Sequence, residues 1–497
     1  MKAMKLYPAD TVALAADELK RGDVVSVDGE KFEILDDIPK AHKFALKDFE
    51  EGEAIRKYDN IIGTASQPIR KGEWVHSHNE VTTLGSDKEY CYEPVEEAVY
   101  PGTSSLTYMG YKRDDGSCGI RNYIALISTV FCANGPLSKL AAAASQKYST
   151  NDHFDGFVAL EQEFGCSQTG SDLTTTERII ANVARSANFG GVLFVSLGCE
   201  MAIPSKLEKY LDGVERNRIR VITLQESEDE LAEGLEKIGE LVGNLEKDHR
   251  EPLPISSLHV AVNCGGSDGY SGITANTMLG TLCDNLVSKG ATVNMTEVPE
   301  MMGAEHILMN RAKDKETFNR IVKMIRDYNA YFARYGEKAA DNPTQGNKAG
   351  GLTTLEEKSL GCIQKGGHCA VMGVYDYGER VDTHGYVLVS GPGNDLAGVS
   401  GQIAAGAVLT IFTTGRGTPC GFAGPTFRLS SNSELAKRKP TWIDFDAGRF
   451  LGADEEKKQV LNRELYDAVL DCINGTLTKN ERNGYFQMGA LKDGVTL

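Results

Sequence analysis

Two histidines two positions apart, His76 and His78 in Trp74-Val75-His76-Ser77-His78-Asn79, form the sharpest pair of candidate ligands in the chain. Side chains alternate along a strand, so both imidazoles would face one way there. Two imidazoles on one face can hold a divalent metal, or divide between acting as base and touching substrate. His42, at the end of the IPKAH segment, is a candidate neighbour and substrate ligand. The plain alternative is a solvated edge strand with two ordinary histidines.

Other candidates sit where apolar runs end. Arg121-Asn122 closes the DDGSCGIRN segment; a guanidinium fork suits a carboxylate, and an Asn can orient a hydroxyl. A solvated turn is the other reading. Three apolar runs end in small clusters containing Cys166, Cys199 and Cys264. With Cys362 they could be soft ligands for zinc or an iron–sulfur cluster, and Glu161, Glu163 and Glu200 add carboxylates. Tens of residues separate these thiols, so small buried residues in tight turns explain them equally well. The stretch Asn263–Gly272, with Ser267 and Asp268, offers close-approach backbone for a carboxylate or phosphate. It is neither a P-loop nor a GxGxxG fingerprint. Glu297 and Glu300 in TEVPE, followed by Glu305-His306, could ligate metal or move protons, or simply favour a helix start. Asn394-Asp395 in GPGND and Thr414 and Arg416 in TTGRGTPCG suit carboxylate or polyol recognition. Together these parts, without a nucleotide fingerprint, suit metal-assisted removal of water from a hydroxy acid. A cation stabilises the aci-carboxylate, a base takes the alpha proton and an acid protonates the departing hydroxyl.

Residues 1–85 read as a small β-rich unit of short strands, including Val24–Val27, the turn Asp28-Gly29 and Phe32–Leu35, with a short helix possible at Val12–Leu19. Residues 86–107 read as a linker. Residues 108–250 alternate strand and helix, with strands at Tyr123–Val130, Phe157–Leu160, Gly191–Leu197 and Arg220–Leu224. Residues 251–497 repeat that alternation in a second unit, with strands at Leu258–Val262, Thr292–Met295, Tyr386–Val389 and Val408–Phe412. The expectation is a multidomain α/β protein: a β module, then two α/β units with largely parallel sheets. In such sheets ligands bind outside the carboxyl ends of the strands.

The 497 residues carry 53 Lys and Arg against 70 Asp and Glu, a net charge of −17, which argues against a nucleic-acid surface. No apolar run reaches transmembrane length, and the start MKAMKLYPADTVAL lacks the apolar core of a secretory signal. Eleven scattered cysteines without a CxxC pair fit a reducing cytoplasm. The expected partner is a small molecule, with neither nucleic acid nor membrane, and a homo-oligomer is possible.

Several long segments, in order, resemble the altronate and galactarate dehydratase family. IPKAHKFALKDFEEGEAIRKYDNIIGTA and GEWVHSHN look like the β-clip (SAF) module that opens these enzymes. YKRDDGSCGIRNY looks like the start of their central domain, and TEVPE and SLGCE match further segments. GLTTLEEKSLGCIQKGG, SGPGND, FTTGRGTPCG, WIDFDAG and the closing NGYFQMGALKDGVTL are similar to the C-terminal domain. The resemblance implies a divalent metal, iron(II) or manganese, and elimination of water from a six-carbon sugar acid to a 2-keto-3-deoxy acid. It points to His76 and His78 as metal ligands or base and puts Cys166 and Cys199 among the cleft residues; with the strand-end Glu200, these residues make up the expected metal set. It places Arg121, Asn122 and Glu297 in the cleft. Relatives often carry a His just before the first Gly-Cys; here that segment is Glu161-Gln162-Glu163-Phe164-Gly165-Cys166.

Overall fold

The computed structural model describes residues 2–85 and 89–497. The N-terminal module is entirely β. An antiparallel sheet joins Ala3–Met4, Val12–Ala15, Lys43–Ala45 and Trp74–Val75, and a second joins Ala54–Lys57, Asn60–Ala65 and Glu80–Val81. The hairpin Val24–Val27/Glu30–Glu33 turns at Asp28 and Gly29, both at positive φ, as a two-residue hairpin turn requires. The short helix expected at Val12–Leu19 is a correction. Val12–Ala15 is a central strand paired on both sides, with all four residues buried. Four consecutive apolar residues suit either element, and burial on both faces selects the strand.

The first three residues of the segment read as a linker, 86–88, lie outside the described residues. The rest is docked, not free: Tyr92 donates to the Ala312 carbonyl and the Gly102 amide to the Val287 carbonyl. Thr107–Lys112 pairs antiparallel with Glu251–Pro254, tying together the entry and exit of the central unit.

Two parallel sheets follow, whose strands are numbered here in chain order. The central sheet contains β1 (Tyr123–Ser128), β2 (Gly156–Leu160), β3 (Phe189–Ser196) and β4 (Ile219–Thr223), in spatial order β2-β1-β3-β4. The C-terminal sheet contains β5 (His259–Cys264), β6 (Thr292–Met295), β7 (Val371–Tyr375), β8 (Gly385–Val389), β9 (Leu409–Thr414), β10 (Thr426–Ser430) and β11 (Phe445–Asp446). Its order is β7-β8-β6-β5-β9-β10-β11. The inner strands β1, β3, β6, β8 and β9 are continuous runs of buried residues, as a parallel sheet covered on both faces requires. The chain leaves β5 toward β6 on one side and later crosses to β9 on the other. The carboxyl ends of β5, β6 and β9 therefore flank the switch point of the sheet, the usual position of a ligand crevice.

Candidate functional site

The switch point is filled by charged groups and thiols. Cys264 ends β5. Glu297, two residues past β6, has left-handed backbone (φ 72°, ψ 49°) although it is not glycine, and its side chain is buried. Such strain persists only where the surroundings enforce it, and it collects at functional sites. The third contributor is the helix Leu355–Cys362, capped by the Thr354 side chain, which continues as a turn through Gly366. Lys358, Cys362 and Lys365 are spaced four and three apart, so they share one face.

Lys365 is the hub. Its Nζ donates to Glu297 Oε2 at 2.5 Å, to Cys264 Sγ at 2.9 Å and to Cys362 Sγ at 3.1 Å. Burial would pull its ammonium down, but the Cys264 and Cys362 sulfurs and the Glu297 carboxylate outweigh that and hold it above the usual lysine range. Burial, reinforced by Cys264, pushes the Glu297 carboxyl well up. The Cys264 thiol is also pushed well up, first by its contact with Cys362 and then by burial. One buried ammonium cannot offset ionisation of both Glu297 and Cys264, whose proton affinities are both raised. Lys358 Nζ lies 2.7 Å from Glu300 Oε1 and donates to Asn342 Oδ1 at 3.0 Å. Asp395, at the start of the helix Asp395–Ala404, has its carboxyl pushed up to about 7 by burial and by the charge of Glu300. Gly265 lets these groups approach the backbone: a Cβ there would lie 2.4 Å from Asp395 Oδ2 and 2.6 Å from the Phe412 ring, so both side chains would have to shift.

The neighbouring residues Glu356 and Glu357 face the N-terminal module. Glu357 accepts from Lys57 at 2.7 Å and Lys43 at 2.8 Å. Burial alone would raise its carboxyl, but the two ammonium groups reverse that and hold it below the usual range. Glu356 accepts from Thr82 Oγ1 at 2.9 Å and the Thr83 amide at 2.7 Å. One helix thus carries the site on one face and the lock to the module on another.

The structure places the predicted residues in several different surroundings. Glu297 and Glu300 are in the cluster and Asp395 is at its edge. His42 and His76 stack at 5.1 Å and face the segment after Asn347: His76 Nε2 donates to the Lys348 carbonyl at 3.0 Å, and His42 Nε2 lies 3.4 Å from the Ala349 carbonyl. Burial and the Lys43 charge push His76 down to about 4. The shared strand face expected for His76 and His78 is corrected, since the strand stops at Val75 and His78 is exposed against Trp74. Ser267 and Asp268 brace the loop after β5: the Ser267 carbonyl accepts from Asn347, and buried Asp268 accepts from Ser431, Ser271 and Asn432. Asn394 caps a helix through the Ala397 amide, and Thr414 accepts from the Gly417 amide. Arg416 is exposed beside Asp268 in a groove of about 630 Å³ that the N-terminal module also lines through Lys40 and Ala41.

Two further groups of expected residues lie outside this cluster. Arg121 is fully buried at the amino end of β1, gripping Glu481 (2.7 and 3.0 Å) and the Cys472 and Thr476 carbonyls. Its fork recognises a carboxylate of its own chain. Asn122 is likewise consumed, donating to the His153 carbonyl and Asp248 and accepting from Arg113. The metal set His76, His78, Cys166, Cys199 and Glu200 is not gathered. Among the described residues the metal-competent group is Cys264, Glu300 and Cys362, with ligand atoms within 4.8 Å of one another. Glu200 is occupied by Thr129, Ser196 and the Leu197 and Gly198 amides. Lys358 and Lys365 escaped the sequence reading. Their signal was the i, i+4, i+7 spacing with Cys362 between glycine-rich flanks, in a segment noted only for its resemblance.

Comparison with known families accounts for nearly the whole chain. Residues 1–83 match the altronate/galactarate dehydratase SAF domain, 110–246 the D-galactarate dehydratase/altronate hydrolase second domain, and 255–496 the D-galactarate/altronate dehydratase C-terminal domain. The chain belongs to the altronate/galactarate dehydratase family. It is 40% identical to an altronate dehydratase of Bacillus subtilis, covering 99% of both chains. It is 39% identical to an altronate dehydratase of Escherichia coli, covering 100% of both. A galactarate dehydratase (L-threo-forming) of E. coli is 31% identical over 95% of this chain and 92% of its own.

Proposed function

We propose that the chain is a hydro-lyase that removes water from D-altronate to give 2-keto-3-deoxy-D-gluconate. The observation that carries this reading is the cluster at the switch point of the C-terminal sheet. There two ammonium groups, Lys358 and Lys365, meet the Glu300 and Glu297 carboxyls, burial raising the proton affinity of Glu297, beside a metal-competent donor set. Full-length identity to two altronate dehydratases supports the choice of sugar acid.

Elimination needs the C2 proton removed, the resulting carboxylate-stabilised charge held, and the C3 hydroxyl protonated as it leaves. The ammonium of Lys365 is placed to hold negative charge in a site closed to water, where such a charge counts most. Asp395, with a carboxyl near 7, can give or take a proton at working pH. Glu300 holds Lys358 in place. Cys264, Glu300 and Cys362 fit a divalent metal, and two sulfurs with one carboxylate suit iron(II) better than manganese. When bound, such a metal supplies Lewis-acid polarisation of a substrate oxygen. A reducing, cytoplasmic setting belongs to this reading, supported by eleven free cysteines; among the described residues no helix is long and apolar enough to cross a membrane.

The test is 2-keto acid formation from a panel of aldonates and aldarates, with and without added iron(II) under reducing conditions. D-altronate is expected to turn over fastest. Turnover of galactarate without turnover of D-altronate rejects the assignment.

A further inference from the structure

The carboxyl edge of the central sheet carries three thiols that the C-terminal cluster does not use. Cys132 follows β1, Cys166 follows β2 and Cys199 follows β3, and β1 lies between the other two strands. Their loops are knit together. The Phe131 amide donates to the Phe164 carbonyl at 3.2 Å, and the Met201 amide to the Gly165 carbonyl at 2.8 Å. Gly165 has φ +99°, and a Cβ there would lie 2.0 Å from the Thr129 carbonyl oxygen, so glycine alone lets the Cys166 loop lie against the Cys132 loop. The Glu200 carboxylate joins the other pair of loops, accepting from Thr129 Oγ1 at 2.6 Å and the Gly198 amide at 2.6 Å. Cys132 and Cys199 are exposed and Cys166 is half-buried.

A separate observation points to a ligand here. Gln162 and Gln168 flank Cys166 in the same loop and are 0% and 1% exposed. Their Oε1 atoms are used, by the Glu163 and Gly165 amides, but neither Nε2 has a hydrogen-bond partner. A buried donor without an acceptor is costly, and native proteins keep few of them. An acceptor brought in beside Cys166 would relieve both. Two helices, Asn134–Lys147 and Gly170–Ala184, also start just past Cys132 and Cys166, and helix starts favour anionic ligands.

Among the described residues the three thiols are not gathered within the 4.8 Å span that marks the Cys264 group. An iron–sulfur cluster holds its thiolate ligands on separate irons, and hydrogen bonds to its sulfurs are part of how a protein tunes it. We propose that Cys132, Cys166 and Cys199 bind an iron–sulfur cluster at this edge, with the Gln162 and Gln168 amides donating to its sulfurs. Three thiolates leave one iron of a four-iron cluster open to an oxygen ligand. This site stands apart from the metal-competent group of the C-terminal sheet.

The test is anaerobic reconstitution of the full chain with ferrous iron, sulfide and a thiol reductant, then desalting and assay of iron, acid-labile sulfide and visible absorption. The wild-type chain is expected to retain iron and sulfide in equal amounts with broad visible absorption. Cys132→Ser, Cys166→Ser and Cys199→Ser are each expected to lose the sulfide and the absorption, while Cys264→Ser keeps both. Thermal melting checks that each variant is folded. Cys132 is exposed on a short turn, so Cys132→Ser decides if the other two unfold. A wild-type chain without retained sulfide overturns the proposal, as does sulfide retained by folded Cys132→Ser. Iron held without sulfide and lost in Cys264→Ser also overturns it, while leaving the dehydratase site standing.

Discussion

At the carboxyl edge of the C-terminal sheet, Lys358, Lys365, Glu297, Glu300, Cys264 and Cys362 are sealed from water. At the same edge of the central sheet, two thiols are exposed and a third half-buried around one buried carboxylate, Glu200. Both edges are built from parallel strands followed by short loops and helix starts. What differs is the cover. The C-terminal edge receives the helix Leu355–Cys362 and, locked to it through Glu356 and Glu357, the N-terminal module. That cover removes water, so every charge beneath it must be paired, and the burial itself raises the proton affinities of Glu297 and Asp395. The central edge keeps its thiols within reach of solvent and of a ligand from outside. Similar sheet ends thus yield one site tuned by charge and one governed by sulfur.

The largest effect that would break this contrast is at its hub. Lys365→Met should lower kcat on D-altronate by about 10³-fold, the scale of losing one preorganised electrostatic group, with the fold retained by circular dichroism. Near wild-type turnover would show that charge does not run the C-terminal edge. Arg121 tests the opposite end of the central sheet. Arg121→Met strands the buried Glu481 and should cost about 3–5 kcal/mol in unfolding free energy, while KM of the folded fraction is unchanged. A selective rise in KM would return Arg121 to substrate. Arg416→Gln, in the groove under the module, should raise KM about tenfold with little change in melting temperature, the scale of one charged hydrogen bond. An unchanged KM would place sugar-acid binding elsewhere.

The smallest effect is on pH. His76 titrates near 6.5 when unfolded and near 4 when folded, so the unfolded chain binds the proton more tightly. Its contribution to stability is present above about 6.5 and lost as pH falls toward 4. His76→Gln should flatten the melting-temperature profile across that window. A profile with the wild-type slope there would show that the module's His42–His76 stack carries none of the acid sensitivity.

Much of the architecture was legible. The apolar runs expected at Tyr123–Val130 and Val408–Phe412 hold the buried strands Tyr123–Ser128 and Leu409–Thr414, and the stripe from Phe318 to Phe332 is one face of the helix Lys315–Arg334. The helix expected at Val12–Leu19 failed because four apolar residues carry no period. At the site, Glu297 and Glu300 were legible because they stand at a strand end. Lys358 and Lys365 were not, because a lysine in a helical segment ordinarily faces water. Arg121 misled for the converse reason: its carboxylate partner is Glu481, 360 residues away in sequence.

The sequence by itself determined that two parallel sheets would form, that a β module would precede them and that their strand ends would concentrate glycine, thiols and carboxylates. Local periodicity and turn chemistry are sufficient for that. Only the tertiary structure decided which of those groups meet. Cys264, Glu297 and Lys365 come from three separate segments, and the buried Lys365 ammonium survives only because it finds its partners across the sheet edge. Such pairing depends on packing between distant elements, which no local pattern encodes.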